Sequence, residues 1–145
     1  MSDHTTLTQP GNVLPQADRA PAVGSWTPWG KADHVTVIAE GLVSVSTPSH
    51  GGYWLSQWRH TQMPPALGAV PTFAGGRWYE EDCDWALVCV AFPECFPADA
   101  LAQAEGSLAR WQPEVWARYL AERDAPAERD APAERDAPAE REDAR

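Results

Sequence analysis

Between His34 and Leu55, short runs of β-branched and apolar residues alternate with small polar ones, and glycine or proline separates the runs. The runs around Val35–Ala39, Leu42–Thr47 and Gly52–Leu55 predict a three-stranded antiparallel meander, with turns at Glu40-Gly41 and Pro48–Gly51. In the middle strand Val43 and Val45 alternate with Ser44 and Ser46, which predicts one wet face. Ser56 is placed to cap a short helix that Pro64-Pro65 ends, and Ala66–Gly76 reads as a loop. The next segment, Trp78–Phe92, opens on acids and carries Trp85, Val88, Cys89 and Phe92 at helical spacing, which predicts one helix with its carboxylates in the first turn. A buried strand over Trp85–Phe92 competes with that reading, because β-branched residues recur there. Two further helices are predicted, from Pro97 to about Arg110 and from Pro113 to about Arg123, each with proline in its first turn. The expected fold class is α+β, a small three-stranded antiparallel sheet packed with about three helices between disordered N- and C-terminal tails.

The domain limits follow from where this patterning stops. Residues 1–24 hold Pro10, Gly11, Pro15, Pro21 and Gly24 without an apolar period and read as a flexible N-terminal segment. From Ala121 the hexapeptide Ala-Glu-Arg-Asp-Ala-Pro runs three times, with prolines at 126, 132 and 138 and no side chain larger than proline that is apolar. Residues 121–145 therefore read as a disordered repeat tail, and residues 25–120 as a single globular domain holding all eight tryptophans. The chain of 145 residues carries 11 Lys and Arg against 21 Asp and Glu, a formal charge of −10, which argues against direct binding of a phosphate backbone and favours a basic partner. The start of the chain has no basic segment followed by an apolar one, and no apolar run of roughly 18 residues occurs, so a cytoplasmic protein without a membrane span is expected.

Candidate chemistry is sparse. Cys83, Cys89 and Cys95 are six residues apart, unlike the closer pairs that zinc prefers, so no metal and no cofactor is expected; Cys89 reads as a core residue. Cys83 stands among four carboxylates, which oppose formation of a thiolate. His50 reads either as part of a structural turn or as a base working with Cys83 or a nearby carboxylate, and His60 as a surface residue. Glu80, Glu81, Asp82 and Asp84, flanked by Trp78, Tyr79 and Trp85, form the strongest local feature. Acids beside aromatic anchors suit a surface rich in arginine or lysine, while stabilisation of a helix start and a solvated face are the simpler account. Trp26 and Trp29 lie in proline- and glycine-bearing sequence, either as an arm laid on the sheet or at an interface.

The strings Thr27–Gly30, Val45–Gly52 and Trp78–Ala86, followed by Phe92-Pro93-Glu94, resemble an uncharacterised domain family of bacterial plasmid, phage and other mobile-element proteins. The resemblance covers roughly residues 26–94 and implies a genomic setting, with no reaction attached. Together with the charge it leads to the expectation of a counter-defence inhibitor, anti-CRISPR-like or anti-restriction-like. Such a protein would block a basic nucleic-acid-binding or assembly surface through Trp78, Tyr79, Glu80, Glu81, Asp82, Asp84, Trp85 and His50. A small hydrolase or transferase using His50 with Cys83 or a carboxylate is the alternative from another class, and an accessory domain without its own activity is a third.

Overall fold

The computed structural model describes residues 18–125. A two-residue hairpin, β1 (Trp26–Thr27) and β2 (Gly30–Lys31), precedes a four-stranded antiparallel sheet of β3 (His34–Ala39), β4 (Leu42–Ser46), β5 (Gly51–Leu55) and β6 (Trp78–Glu80) in simple sequential order. Helices α1 (Gln57–Thr61) and α2 (Pro65–Gly68) lie between β5 and β6, and α3 (Trp85–Ala91), α4 (Ala98–Trp111) and α5 (Pro113–Arg123) follow. The class is α+β, but the sheet has a fourth strand that the sequence pattern did not reveal, and the described residues hold five helices.

That fourth strand corrects the reading of Trp78–Phe92 as one helix. Trp78 and Tyr79 pair with Trp54 and Tyr53 across the ladder, and Glu80 pairs with Gly52. Large aromatic residues fit such cross-strand positions, and the pairing brings together residues roughly 25 apart, which no local window registers. The chain then turns through Glu81–Asp84 and enters α3 only at Trp85, so the acids precede the helix and none lies in its first turn. The helical period itself is present: Val88, Cys89 and Phe92 are buried and Trp85 packs against them at the edge. In the stretch expected to be a loop, Pro65 starts the single turn of α2, which buries Leu67. Ser56 caps α1 as expected, its hydroxyl oxygen accepting from the Arg59 N–H at 3.0 Å.

Alternation along the strands gives the sheet two covered faces. Leu42, Leu55 and Tyr79 point to the helices, where Leu87, Val88 and Cys89 of α3 and Ala104 and Leu108 of α4 complete the main core. Each fully buried leucine of this kind contributes roughly 1.5–3 kcal/mol relative to exposure. Val43, Val45 and Trp54 point the other way and form a second, smaller cluster with Ala32, against which Val35 and Trp78 pack. The β1–β2 hairpin lies over this side: Trp29 meets Trp78 edge-on at 5.6 Å, and the Ser49 hydroxyl donates to the Trp29 carbonyl at 3.1 Å. Of the residues assigned to the flexible N-terminal segment, Pro21 is buried and Asp18 accepts from the Gln57 N–H at 2.7 Å. Helix α5 continues into the first hexapeptide as far as Arg123, because the first proline of the repeat comes only at 126. There the Glu122 carboxylate accepts from the Ala66 N–H at 3.2 Å and ties α5 to α2. The rest of the predicted tails, residues 1–17 and 126–145, lies outside the described residues.

Gly52 is where the hairpin, β5 and β6 converge. A Cβ at this position would collide with the Tyr79 carbonyl and stand 2.8 Å from the Trp29 ring. Gly52→Ala is therefore expected to cost about 1–3 kcal/mol of stability by overpacking. Gly106→Ala, mid-helix in α4 with nothing within 4 Å of the new methyl, should instead raise stability by about 0.5–1 kcal/mol. Urea unfolding of the two variants beside the native chain measures both changes.

Candidate functional site

Two turns meet at one end of the sheet, 47–50 between β4 and β5 and 81–84 between β6 and α3. The first is organised by Thr47, a buried residue whose hydroxyl donates to the His50 carbonyl at 2.7 Å and accepts from the His50 N–H at 3.2 Å. The segment is a turn, but Thr47 and not the His50 side chain satisfies its backbone groups, which leaves the His50 ring exposed. The second turn is organised by Glu80. Its Oε1 accepts from the N–H groups of Asp82 at 2.9 Å and Cys83 at 3.1 Å, and its Oε2 stands 3.5 Å from His50 Nδ1. Glu80 is only 5% exposed, so it is an internal carboxylate that ties both turns together. The Glu81 N–H also donates to the Gly51 carbonyl at 2.9 Å.

The eight residues expected to contact a partner divide accordingly. Tyr79, Glu80 and Asp84 are interior: the Tyr79 hydroxyl donates to Met63 Sδ at 3.5 Å, and Asp84 Oδ2 accepts from the Phe73 N–H at 2.9 Å. Burial, helped by the charge of Asp84 and opposed by that of Arg77, pushes the Tyr79 phenol up to about 12. Burial also raises the Asp84 carboxyl above its ordinary value, against the pull of its backbone donors and together with the charge of Glu80. Trp78 and Trp85 are half-buried, and His50, Glu81 and Asp82 are exposed. The surface that the segment offers is thus a small acidic tip of Glu81 and Asp82 beside His50, and not the whole run 78–85.

The tip adjoins a groove of about 220 Å³ lined by Ser44, Ser46, Gly52, Tyr53, Glu81 and Trp85. This is the surviving part of the wet face of β4, whose other end is closed by the fully buried Leu42. Ser44 and Ser46 were legible through their alternation with Val43 and Val45. It carried no sign that Trp85 and Glu81 stand over them, since the strand register does that.

Among the described residues, the ligating atoms of His50, Glu81 and Asp82 lie within 4.8 Å of one another. One imidazole and two carboxylates are donors that a divalent cation accepts, all three exposed and drawn from both turns. The expectation of no metal rests on cysteine spacing and on consecutive acids pointing different ways along a helix; Glu81 and Asp82 instead lie in the turn before α3. Cys89 is buried in the core as expected, Cys95 is half-buried and Cys83 is exposed in the turn. His60 is not a plain surface residue: it is half-buried, with Nε2 3.1 Å from the Gly68 carbonyl, joining α1 to α2.

The Cys83 thiol is raised above its ordinary value by local desolvation first, then by its hydrogen bond to Glu80 and by the charges of Glu80, Asp84 and Asp82. Less thiolate at neutral pH means slower attack on an electrophile. Exposed Cys83 should accordingly be alkylated by iodoacetamide at pH 7 measurably more slowly than a cysteine in an unstructured peptide. The rate should go on rising with pH beyond the point where an ordinary thiol levels off; mass-spectrometric counting of the labelled Cys83 peptide across pH checks this.

No curated protein and no solved structure matches the chain. The described residues contain no helix long and apolar enough to cross a membrane. The family described as "Domain of unknown function (DUF7007)" matches residues 22–142, which takes in both turns of the tip, the whole sheet and helices α1 to α5. Since that match spans well over half of the chain, the protein belongs to the DUF7007 family.

Proposed function

We propose that this chain is a protein-binding domain that engages a basic surface of a nucleic-acid-handling complex through the acidic tip and the adjoining groove. We further propose that it comes from a mobile genetic element and acts in the cytoplasm as a counter-defence inhibitor, anti-CRISPR-like or anti-restriction-like. The observation that carries the reading is the division of labour in the turn 80–84. Glu80 is buried and fixes the backbone, so Glu81 and Asp82 are presented outward from a braced turn rather than from a loose loop. A preorganised pair of carboxylates loses little entropy on pairing with a guanidinium fork, and half-buried Trp85 beside it supplies apolar area that a partner can cover. The formal charge of −10 on the chain adds long-range attraction to a basic partner.

The hydrolase or transferase alternative has one observation in its favour, the approach of His50 Nδ1 to Glu80 Oε2 at 3.5 Å, which orients an exposed imidazole. The raised Cys83 thiol weighs against that residue as its nucleophile.

The two readings separate in cells carrying a restriction or CRISPR system and challenged with phage. Expression of the native chain is expected to raise plating efficiency, and Glu81→Lys with Asp82→Lys is expected to lower it by at least about tenfold through charge reversal at the contact. Glu114→Lys, an exposed reversal in α5 away from the tip, should leave it unchanged. An effect that survives the double reversal but is abolished by His50→Ala would support the enzyme reading, and no effect of the native chain on any such system would overturn the inhibitor.

A further inference from the structure

His50, Glu81 and Asp82 reach one point from two different turns, although β5, α1, α2 and β6 all lie between them in the chain. We propose that these three side chains form a binding site for a single divalent transition ion of the zinc class, with one imidazole nitrogen and two carboxylate oxygens as ligands and water in the remaining positions. The inference does not rest on the partner reading above, because it concerns the chain by itself.

What stands behind the imidazole is the first argument. Glu80, only 5% exposed, holds Oε2 at 3.5 Å from His50 Nδ1. A histidine that ligates a metal almost always gives its other ring nitrogen to a carboxylate, a carbonyl or water, which fixes the tautomer and strengthens the free nitrogen as a ligand. With Nδ1 turned to Glu80, Nε2 is the nitrogen left for an ion, and a buried acid steadies the ring from inside the fold. The charge of the two outer acids points the same way. Among the described residues neither Glu81 nor Asp82 pairs with a lysine or arginine, so the chain leaves both carboxylates without a cation of its own. The imidazole sets the class of ion, since calcium and magnesium favour all-oxygen ligands and zinc accepts nitrogen and oxygen together.

The second argument is the spacing of the donors. Their ligating atoms lie within 4.8 Å of one another. Ligands held at roughly 2.0–2.2 Å from a zinc-class ion stand about 3–3.5 Å apart, so small rotations of three exposed side chains close the set. The backbone beneath them is already fixed. The Glu81 N–H donates to the Gly51 carbonyl at 2.9 Å, one residue from His50, and Glu80 Oε1 accepts from the Asp82 N–H at 2.9 Å. A Cβ on Gly51 would stand 3.3 Å from Glu81 Oε1, so that carboxylate already leans over the turn that carries His50. Donors held this way lose little further freedom when an ion arrives.

Isothermal titration of the full reduced chain with zinc chloride tests the site, with magnesium chloride as the oxygen-preferring control. One zinc ion per chain is expected to bind saturably. His50→Ala, and Glu81→Gln together with Asp82→Asn, should each weaken binding by at least about tenfold. All three positions are exposed and Thr47 organises the turn without the His50 ring, so thermal unfolding of these variants in EDTA should match that of the native chain. Glu114→Gln, away from the tip, and Cys83→Ser, the exposed thiol beside it, should bind zinc as the native chain does. Absence of saturation at millimolar zinc overturns the proposal, as does an affinity unchanged in either ligand variant. Loss of binding in Cys83→Ser would mean a thiolate site instead, and magnesium displacing zinc at equal concentration would mean carboxylates acting without the imidazole; either result overturns it too.

Discussion

A carboxylate withdrawn from water is costly unless its oxygens find donors, and Glu80 meets that condition by drawing two turns into contact. One oxygen takes the N–H groups of Asp82 and Cys83, and the other faces His50. The arrangement requires that β6 pair with β5, because only that register sets Glu80 opposite Gly52 and next to the turn that carries His50. It also requires Gly51 and Gly52, since a side chain at either would drive into the backbone of a neighbouring strand. The exposed acids at 81 and 82 are therefore oriented by a buried acid and two glycines that never touch solvent to any extent.

The same strand pairing places three of the eight tryptophans, Trp29, Trp54 and Trp78. A sheet covered on one side only would bury Leu42, Leu55 and Tyr79 and leave Val43, Val45 and Trp54 wet. The β1–β2 hairpin and residues from 18 onward close the second side, with Trp29 laid over Gly52 and against Trp78. Cross-strand neighbours Trp54 and Trp78 give that face an aromatic surface, and the hairpin adds Trp26 at its edge. Helix α3 is held between the sheet and α4, which is why its seven residues are enough: packing, not helix propensity, stabilises it.

Charge is distributed by the same geometry. The end of the sheet where the two turns meet gathers Glu81 and Asp82, while on the second face Arg77 pairs with Asp18 at 3.3 Å and Lys31 stands over the Trp26 ring. The net figure of −10 describes neither surface, since it averages over both and over the repeat tail.

Features that depend on neighbours along the chain are legible from residue order alone. The meander of β3, β4 and β5 was legible because Val43, Ser44, Val45 and Ser46 alternate and glycine or proline breaks the runs. The cap at Ser56, the proline starts of α4 and α5, and the buried face of Val88, Cys89 and Phe92 were legible for the same reason. Features fixed by pairing at a distance are not. Trp78, Tyr79 and Glu80 carry acids and aromatics that read equally as the start of a helix, and they became a strand because β5 offered an open edge. That choice sent Tyr79, Glu80 and Asp84 inward, left Glu81 and Asp82 outside, and brought His50 beside them. A periodicity records which side of its own element a residue faces, but not which other element will lie there, and the candidate site is built wholly from the second kind of information.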